Sequence, residues 1–383
     1  MNAQKFSFSF FIVFLFGELA LFGLFILFYL YDPFQFFHAP IWREKTFMSD
    51  MRVSAAGIID NMSFDSIITG SSMLENTSIH QAQEKIGGKW VNLSFGVARF
   101  KERNILLNYA FKRQNIQNVI YSLDSYDFMN VAPATMIMNE KIYSENKITR
   151  FVSRFPYYFN THFLRCVLYW KNDSGCVGYA DLENLTKWYF SRKRGFQGFD
   201  YWWEDRKEGS LKGLHIVTKN LPPPPAQDIV KIKQYVQNYL FDLIQQNPNV
   251  QFHLIVPPFA RAFYKIPTEK IYHEGRTGAQ YYADFKTMLL WILKELEPFK
   301  NVKIYAFDDL DYPNHLNNYC DGNHYNTDMN SLFLTAVQSN THRLTLNNQQ
   351  QFFEKMENEI NNYDIQPFIL SIKKYEQSKK NQK

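Results

Sequence analysis

The chain has 383 residues, 46% hydrophobic and 17% aromatic, with 36 Phe and 24 Tyr, which is too rich in core-forming side chains for a disordered protein. Its length suits one elaborated α/β-sized domain with appendages rather than requiring two. The net charge of +5 comes from scattered Lys and Arg that cluster only near the C-terminal end, so no nucleic-acid partner is expected.

Residues 1–5 read as a cytoplasmic N-terminus and residues 6–31 as an almost unbroken apolar run. As a helix that run is long enough to cross a hydrocarbon core of about 30 Å. Tyr31 leads into Asp32-Pro33-Phe34 with no small-residue cleavage site, so the run is predicted to stay as a single-pass transmembrane anchor. Glu18 interrupts it; a carboxyl at that depth either faces a partner helix or stays protonated. Lys5 precedes the run, Asp32 follows it, and Arg43 is the first cation beyond. This places the N-terminus inside the cytoplasmic membrane and the main domain in the periplasm or outside the cell. Residues 32–62, with Pro33, Pro40, Arg43 and Arg52, read as a juxtamembrane connector.

From residue 63 onward, β-branched and aromatic runs alternate with helical spacing. Strands are predicted over 64–68, 90–94, 119–123, 252–256 and 302–307, and helices over 79–86, 102–114, 226–246 and 281–296. Strands separated by helices imply a parallel sheet of about five strands covered on both faces. The domain is predicted over 63–335, broken by a mainly helical insertion at 126–221 that is rich in aromatic and basic residues. Such a composition suits a cap over a substrate site, with a membrane-facing surface as the alternative. Within it Cys166 and Cys176 are near enough in sequence to close a small disulfide loop outside a reducing compartment; three free, buried thiols including Cys320 are the other reading. Pro222 to Pro225 form a stiff spacer, and residues 336–383 read as a helical tail whose basic far end is mobile.

Two short stretches carry chemistry. The run Ile67-Ile68-Thr69-Gly70-Ser71-Ser72 is a buried strand entering a tight turn that presents a hydroxyl. Asp321-Gly322-Asn323-His324 follows the last strand. A serine needs a base within hydrogen-bond reach and a group to orient it, and these two segments lie after strands whose carboxyl ends share one edge of a parallel sheet. Taken alone, Ser71 or Ser72 would simply cap the next helix. His253, inside a strand, reads as a core histidine. Asp308, Asp309, Asp311, His315, Asp321 and His324 fit no standard calcium loop and read as a solvated acidic loop, with no metal or cofactor expected.

On Gly70-Ser71-Ser72, Asn92-Leu93-Ser94-Phe95-Gly96 and Asp321-Gly322-Asn323-His324 the chain resembles the SGNH (GDSL-like) hydrolase superfamily. The likeness is to its membrane-anchored branch, which includes the D-alanine-transfer protein of teichoic acid modification and partners of alginate and peptidoglycan O-acetylation. The resemblance implies a flavodoxin-like three-layer α/β fold, Ser72 as nucleophile, His324 as general base and Asp321 as its orienting carboxylate. It also implies an oxyanion hole from the backbone of Ser72 and Gly96, and frequent pairing with a multispanning O-acyltransferase. Ser71 stands in the family's aspartate position. Where the family supplies an asparagine donor, this chain has Ser122-Leu123-Asp124-Ser125; an ionised Asp124 cannot donate, which leaves Ser125 and Asn130 as the candidate donors at that place. The expected function is a membrane-anchored serine esterase or O-acyltransferase on a cell-envelope glycan or polymer. The alternative is a non-catalytic anchored glycan-binding or scaffold protein that keeps the fold.

Overall fold

The computed structural model describes residues 3–124, 138–180, 183, 226–265, 278–370, 377 and 381. The proline spacer and most of the predicted insertion lie outside these residues, as do Ser125 and Asn130. The chain divides into two compact units, one of residues 1–63 with 138–185 and one of residues 64–137 with 186–383.

The larger unit is built on one five-stranded parallel sheet. Its strands are β1 (Ser66–Thr69), β2 (Trp90–Asn92), β3 (Asn118–Ser122), β4 (Gln251–Val256) and β5 (Val302–Ala306), in the order β2-β1-β3-β4-β5. Each sits within two residues of the predicted run. The register pairs Ile67 with Val91 and with Val119, Ile120 with His253, and Leu254 with Ile304. Ile67, Ile68, Val119, Tyr121, Leu254 and Ile255 are buried, as strands covered on both faces must be. The chain leaves β1 towards β2 on one side and continues from β3 to β5 on the other, so the carboxyl ends of β1 and β3 flank the crevice where the order reverses.

Helices cross between the strands as their apolar spacing predicts, at Ile79–Ile86, Phe100–Phe111 and Gly278–Leu296. The segment before β4 runs from Ala226 to Gln246 and widens to a π turn over Gln237–Phe241. Where it is described, the chain after residue 335 is largely helical and packed. Helix Gln349–Asn362 buries Phe352, Phe353, Met356 and Ile360, and its Glu357 accepts hydrogen bonds from Tyr282 (2.9 Å) and Lys286 (2.6 Å). Apolar residues there are few but fall on one face, which lets a helix of low overall apolar density pack.

The smaller unit contains the N-terminal helix Ala3–Tyr31, of which Phe11–Tyr31 is apolar and long enough to cross a membrane. Glu18 is exposed on it. The connector is more ordered than its mixed composition suggests. Asp32 is buried and accepts from the backbone N–H groups of Phe36 (2.9 Å), Phe37 (2.8 Å) and His38 (3.2 Å) and from the Tyr158 hydroxyl. Burial pushes its carboxyl pKa up, and the Tyr158 and backbone hydrogen bonds oppose that shift. Helix Met51–Asn61, capped by Asp50, buries Val53, Ala55, Ala56, Ile58 and Ile59; no sequence signal singled it out. Residues 138–180, the described part of the insertion, pack in this unit through helices Lys147–Arg154 and Thr161–Leu168. Arg154 pairs with Asp60 at 2.8 Å, and Cys166 is bonded to Cys176, with buried Cys320 outside the disulfide.

Candidate functional site

The serine turn follows directly from the geometry at the end of β1. Gly70 lies so close to β3 that a Cβ there would fall on Ser122 Oγ and sit 3.0 Å from Ser122 Cβ, so only glycine fits. The next residue, Ser71, is extended (φ −78°, ψ −164°), and its Oγ accepts from Met73 N at 3.2 Å, capping the short helix Ser72–Glu75. Capping turns the Ser71 hydroxyl back into the protein, and it is buried. Ser72, the first helical residue, is half-buried and its Oγ lies 2.7 Å from His324 Nε2. The two serines therefore take different jobs.

The second half of the site is a single tight turn after β5. Asp321 Oδ1 accepts from the backbone N–H of Asn323 (3.1 Å) and His324 (2.9 Å), while Oδ2 lies 2.7 Å from His324 Nδ1. One carboxylate thus shapes the turn and holds the imidazole, which is why a spacing of three suffices. Burial alone would raise the Asp321 pKa. The charge and hydrogen bonds of His324, with the backbone N–H donors, outweigh it and hold this carboxyl well below the usual range. The imidazole therefore has a hydroxyl at one nitrogen and a carboxylate at the other.

Long-range contacts lock the turn against the serine helix. Tyr325 donates to Met73 O at 2.5 Å, and Asn330, from helix Thr327–Ser339, donates to the same oxygen at 3.0 Å and to Thr77 Oγ1 at 2.9 Å. The loop after β4 supports it from the other side, with Ala260 N donating to Gly322 O (3.1 Å) and Tyr319 OH to Pro258 O (3.3 Å). Asn92, at the end of β2, donates to Leu74 O (2.8 Å) and Thr77 O (3.0 Å). None of Tyr325, Asn330 or Asn92 carries a local sequence signature of such a role; each acts on a backbone oxygen far away in sequence.

Gly96 lies in the loop that runs beside this helix. Its neighbour Phe95 donates to Gly70 O at 3.1 Å, and a Cβ on Gly96 would meet only Glu75 Oε1, at 3.8 Å. Asp124 is placed differently from an oxyanion donor. It is buried, accepts from Ser122 Oγ at 2.8 Å, and pairs with Arg103 at 3.4 Å. Arg103 also donates to Ser122 O (2.5 Å) and Ala98 O (3.0 Å) and lies over the rings of Phe100 and Tyr121. Ser122 Oγ in turn accepts from Ser71 N at 3.3 Å. The end of β3 thus holds an ion pair that supports the backbone of the serine turn. Ser125 and Asn130 lie outside the described residues.

The remaining candidates separate. His253 is buried in β4, its pKa pushed down to about 4 by burial and by the nearby charges of Lys303 and Arg343. Asp308 is buried with Arg261 and Tyr264, burial raising its pKa to about 7 against the pull of Arg261. Asp311 pairs with His315 at 2.8 Å in the open. Asp308, Asp309, Asp311, His315, Asp321 and His324 therefore do not form one cluster. Cys320, Asp321 and His324 do bring ligand atoms within 4.8 Å of one another, but Asp321 and His324 are engaged with each other and with Ser72. No family model, curated protein or solved structure matches this chain.

Proposed function

We propose that the chain is a membrane-anchored serine esterase or O-acyltransferase of the SGNH kind, acting on a cell-envelope glycan or polymer. The observation that carries this reading is the relay from Ser72 Oγ to His324 Nε2 (2.7 Å) and from His324 Nδ1 to Asp321 Oδ2 (2.7 Å). Three residue types in that order, with hydrogen-bond reach at both joints, are what a serine nucleophile needs. The strand order 2-1-3-4-5, with the serine turn at the point of reversal, favours a flavodoxin-like three-layer arrangement. The apolar N-terminal helix and the Cys166–Cys176 disulfide favour an anchored domain on the oxidising side of the membrane.

In this mechanism Ser72 Oγ attacks the carbonyl carbon of an ester as its proton passes to His324 Nε2. Asp321 holds Nδ1–H and stabilises the imidazolium, and backbone N–H groups of Ser72 and Gly96 bind the oxyanion. Collapse breaks the bond to the alkoxide leaving group, which takes the proton from His324, and leaves Ser72 acylated. Water, or a hydroxyl of an acceptor glycan, then attacks the acyl-enzyme with His324 again taking the proton. Expulsion of Ser72 Oγ, which recovers that proton, completes hydrolysis or transfer. Delivery of the acyl group by a multispanning O-acyltransferase fits this scheme, with Glu18 as a contact inside the membrane.

The second reading, an anchored glycan-binding or scaffold protein, is favoured by one observation: Asp124 serves Arg103 and Ser122, so no asparagine donor stands at the end of β3 among the described residues. Labelling with a fluorophosphonate probe separates the two. We expect the full-length protein and Ser71→Ala to be labelled, and Ser72→Ala and His324→Ala to be unlabelled. Labelling that persists in Ser72→Ala and disappears in Ser71→Ala overturns the nucleophile. A folded wild-type protein that is never labelled supports the scaffold.

A further inference from the structure

The C-terminal end of the apolar helix packs within its own unit through residues that lie inside the apolar span. Phe25, inside the span Phe11–Tyr31, meets Phe155 edge-on at 5.5 Å and Phe159 at 5.4 Å. Phe28 meets Phe159 at 5.5 Å. At 1.5 Å rise per residue, Phe25 lies roughly 9 Å along the helix from Tyr31. A bilayer that takes up this span therefore reaches Phe155 and Phe159 as well.

Those two rings end a stripe. Ile148, Phe151, Val152, Phe155 and Phe159 fall at helical spacings of i, i+3, i+4, i+7 and i+11 along Lys147–Arg154 and the turn beyond it. The face is exposed, with Ile148 at 76% and Val152 at 61%. The rings continue one another, Phe151 to Phe155 at 4.8 Å and Phe155 to Phe159 at 6.3 Å. Away from the stripe the helix carries Arg150, which donates to Ser144 O, and buried Arg154, which pairs with Asp60. Nearby, Trp170 stands edge-on to Tyr31 at 5.3 Å beside exposed Leu168 and Tyr169, the mixture of aromatic and apolar side chains favoured at a membrane–water boundary. An apolar face of this kind, continuous with the side of a membrane-spanning helix, is what an interfacial helix presents.

We propose that Lys147–Arg154 and the turn through Phe159 form a second, monotopic membrane contact, seated in the headgroup–acyl boundary next to the C-terminal end of the anchor, with lipid as the occupant. The proposal rests on Phe11–Tyr31 spanning the bilayer. It assigns this part of the insertion to lipid instead of a substrate cap, and makes the smaller unit a footing that fixes the anchor's tilt and rotation.

Spin labels test it in the full-length protein reconstituted into phosphatidylglycerol–phosphatidylcholine vesicles. Single cysteines replace Ile148, Val152 and, as the lipid reference, Phe16; the native cysteines are a disulfide and a buried thiol and stay unlabelled. Collision rates with oxygen, which partitions into lipid, and with a water-soluble nickel chelate are compared with those of free nitroxide in buffer. The expected result is an oxygen-to-nickel ratio at Ile148→Cys and Val152→Cys several-fold above the free nitroxide and below Phe16→Cys. A water-like ratio at 148 and 152 with a lipid-like Phe16→Cys overturns the interfacial contact while leaving the anchor intact. A water-like Phe16→Cys overturns the anchor and the proposal together. Low collision rates with both reagents at 148 and 152 identify a protein partner on the stripe and also overturn it.

Discussion

Arg103 and Asp124 form a buried ion pair, 3.4 Å apart, directly behind the turn that carries Ser72. Ser122 links the two, donating to Asp124 and accepting from Ser71 N. Removing one partner of a buried pair leaves the other charge uncompensated and costs about 3–5 kcal/mol. Asp124→Asn is therefore expected to lower the unfolding temperature markedly and to slow fluorophosphonate labelling of Ser72. The double variant Arg103→Met/Asp124→Leu recovers much of the stability but not the labelling rate, because Ser122 loses the acceptor that orients it. An Asp124→Asn protein as stable and reactive as wild type would contradict this role.

Gly70 makes a steric prediction. A methyl group there collides with Ser122, and overpacking of this kind costs about 1–3 kcal/mol. Gly70→Ala should be destabilised and poorly labelled, and Ser122→Gly in the same chain should restore part of the loss by opening the space. Thermal unfolding of the two single variants and the double variant gives the coupling; strict additivity would show that the two sites do not touch.

Asp321 is ionised throughout the neutral range because its folded pKa is depressed, so its contribution to stability is present above its unfolded pKa of about 4 and is lost as pH falls through the lower folded value. Asp321→Asn removes that contribution and leaves His324 Nδ1 facing an amide. By the behaviour of the serine protease triad, turnover or labelling falls by about 10⁴-fold with Ser72 still in place. Single-turnover labelling of wild type and Asp321→Asn measures it; a loss under tenfold would remove Asp321 from the relay.

His253 provides an acid-sensitivity test. Its folded pKa, pushed down to about 4, lies below the ordinary value of 6.5, so the neutral ring stabilises the fold above pH 6.5 and that contribution is lost as pH falls from 6.5 to 4. A shift of this size corresponds to about 3 kcal/mol. His253→Gln, which does not titrate, should flatten the dependence of the unfolding temperature on pH across that window. An unchanged slope would place the acid-sensitive group elsewhere.

The disulfide closes a sequence separation of 10 residues in the smaller unit, and a loop of that length is worth about 3 kcal/mol. Cys166→Ser/Cys176→Ser should expose the segment 160–180 to limited proteolysis at lower temperature than in wild type. Equal cleavage in the two proteins would show that the bond contributes little there.

The sequence by itself determined the apolar N-terminal helix and the five parallel strands, because their signals are local. Val119-Ile120-Tyr121 and Phe252 to Val256 read as strands from composition alone, and 26 consecutive mostly apolar residues from Phe6 to Tyr31 read as a helix for a membrane. Asp321 and His324 were legible as a pair because one turn joins them. Only the tertiary structure decided where each hydroxyl points, since Ser71 and Ser72 differ by the direction in which the chain leaves β1. It also decided that Asp124 serves Arg103, twenty-one positions earlier, and that Tyr325 and Asn330 hold the Met73 carbonyl. Helix Met51–Asn61 and the orientation of the stripe from Ile148 to Phe159 likewise came from packing. These contacts join residues distant in the chain, and no local periodicity or propensity encodes which distant partner a side chain will meet.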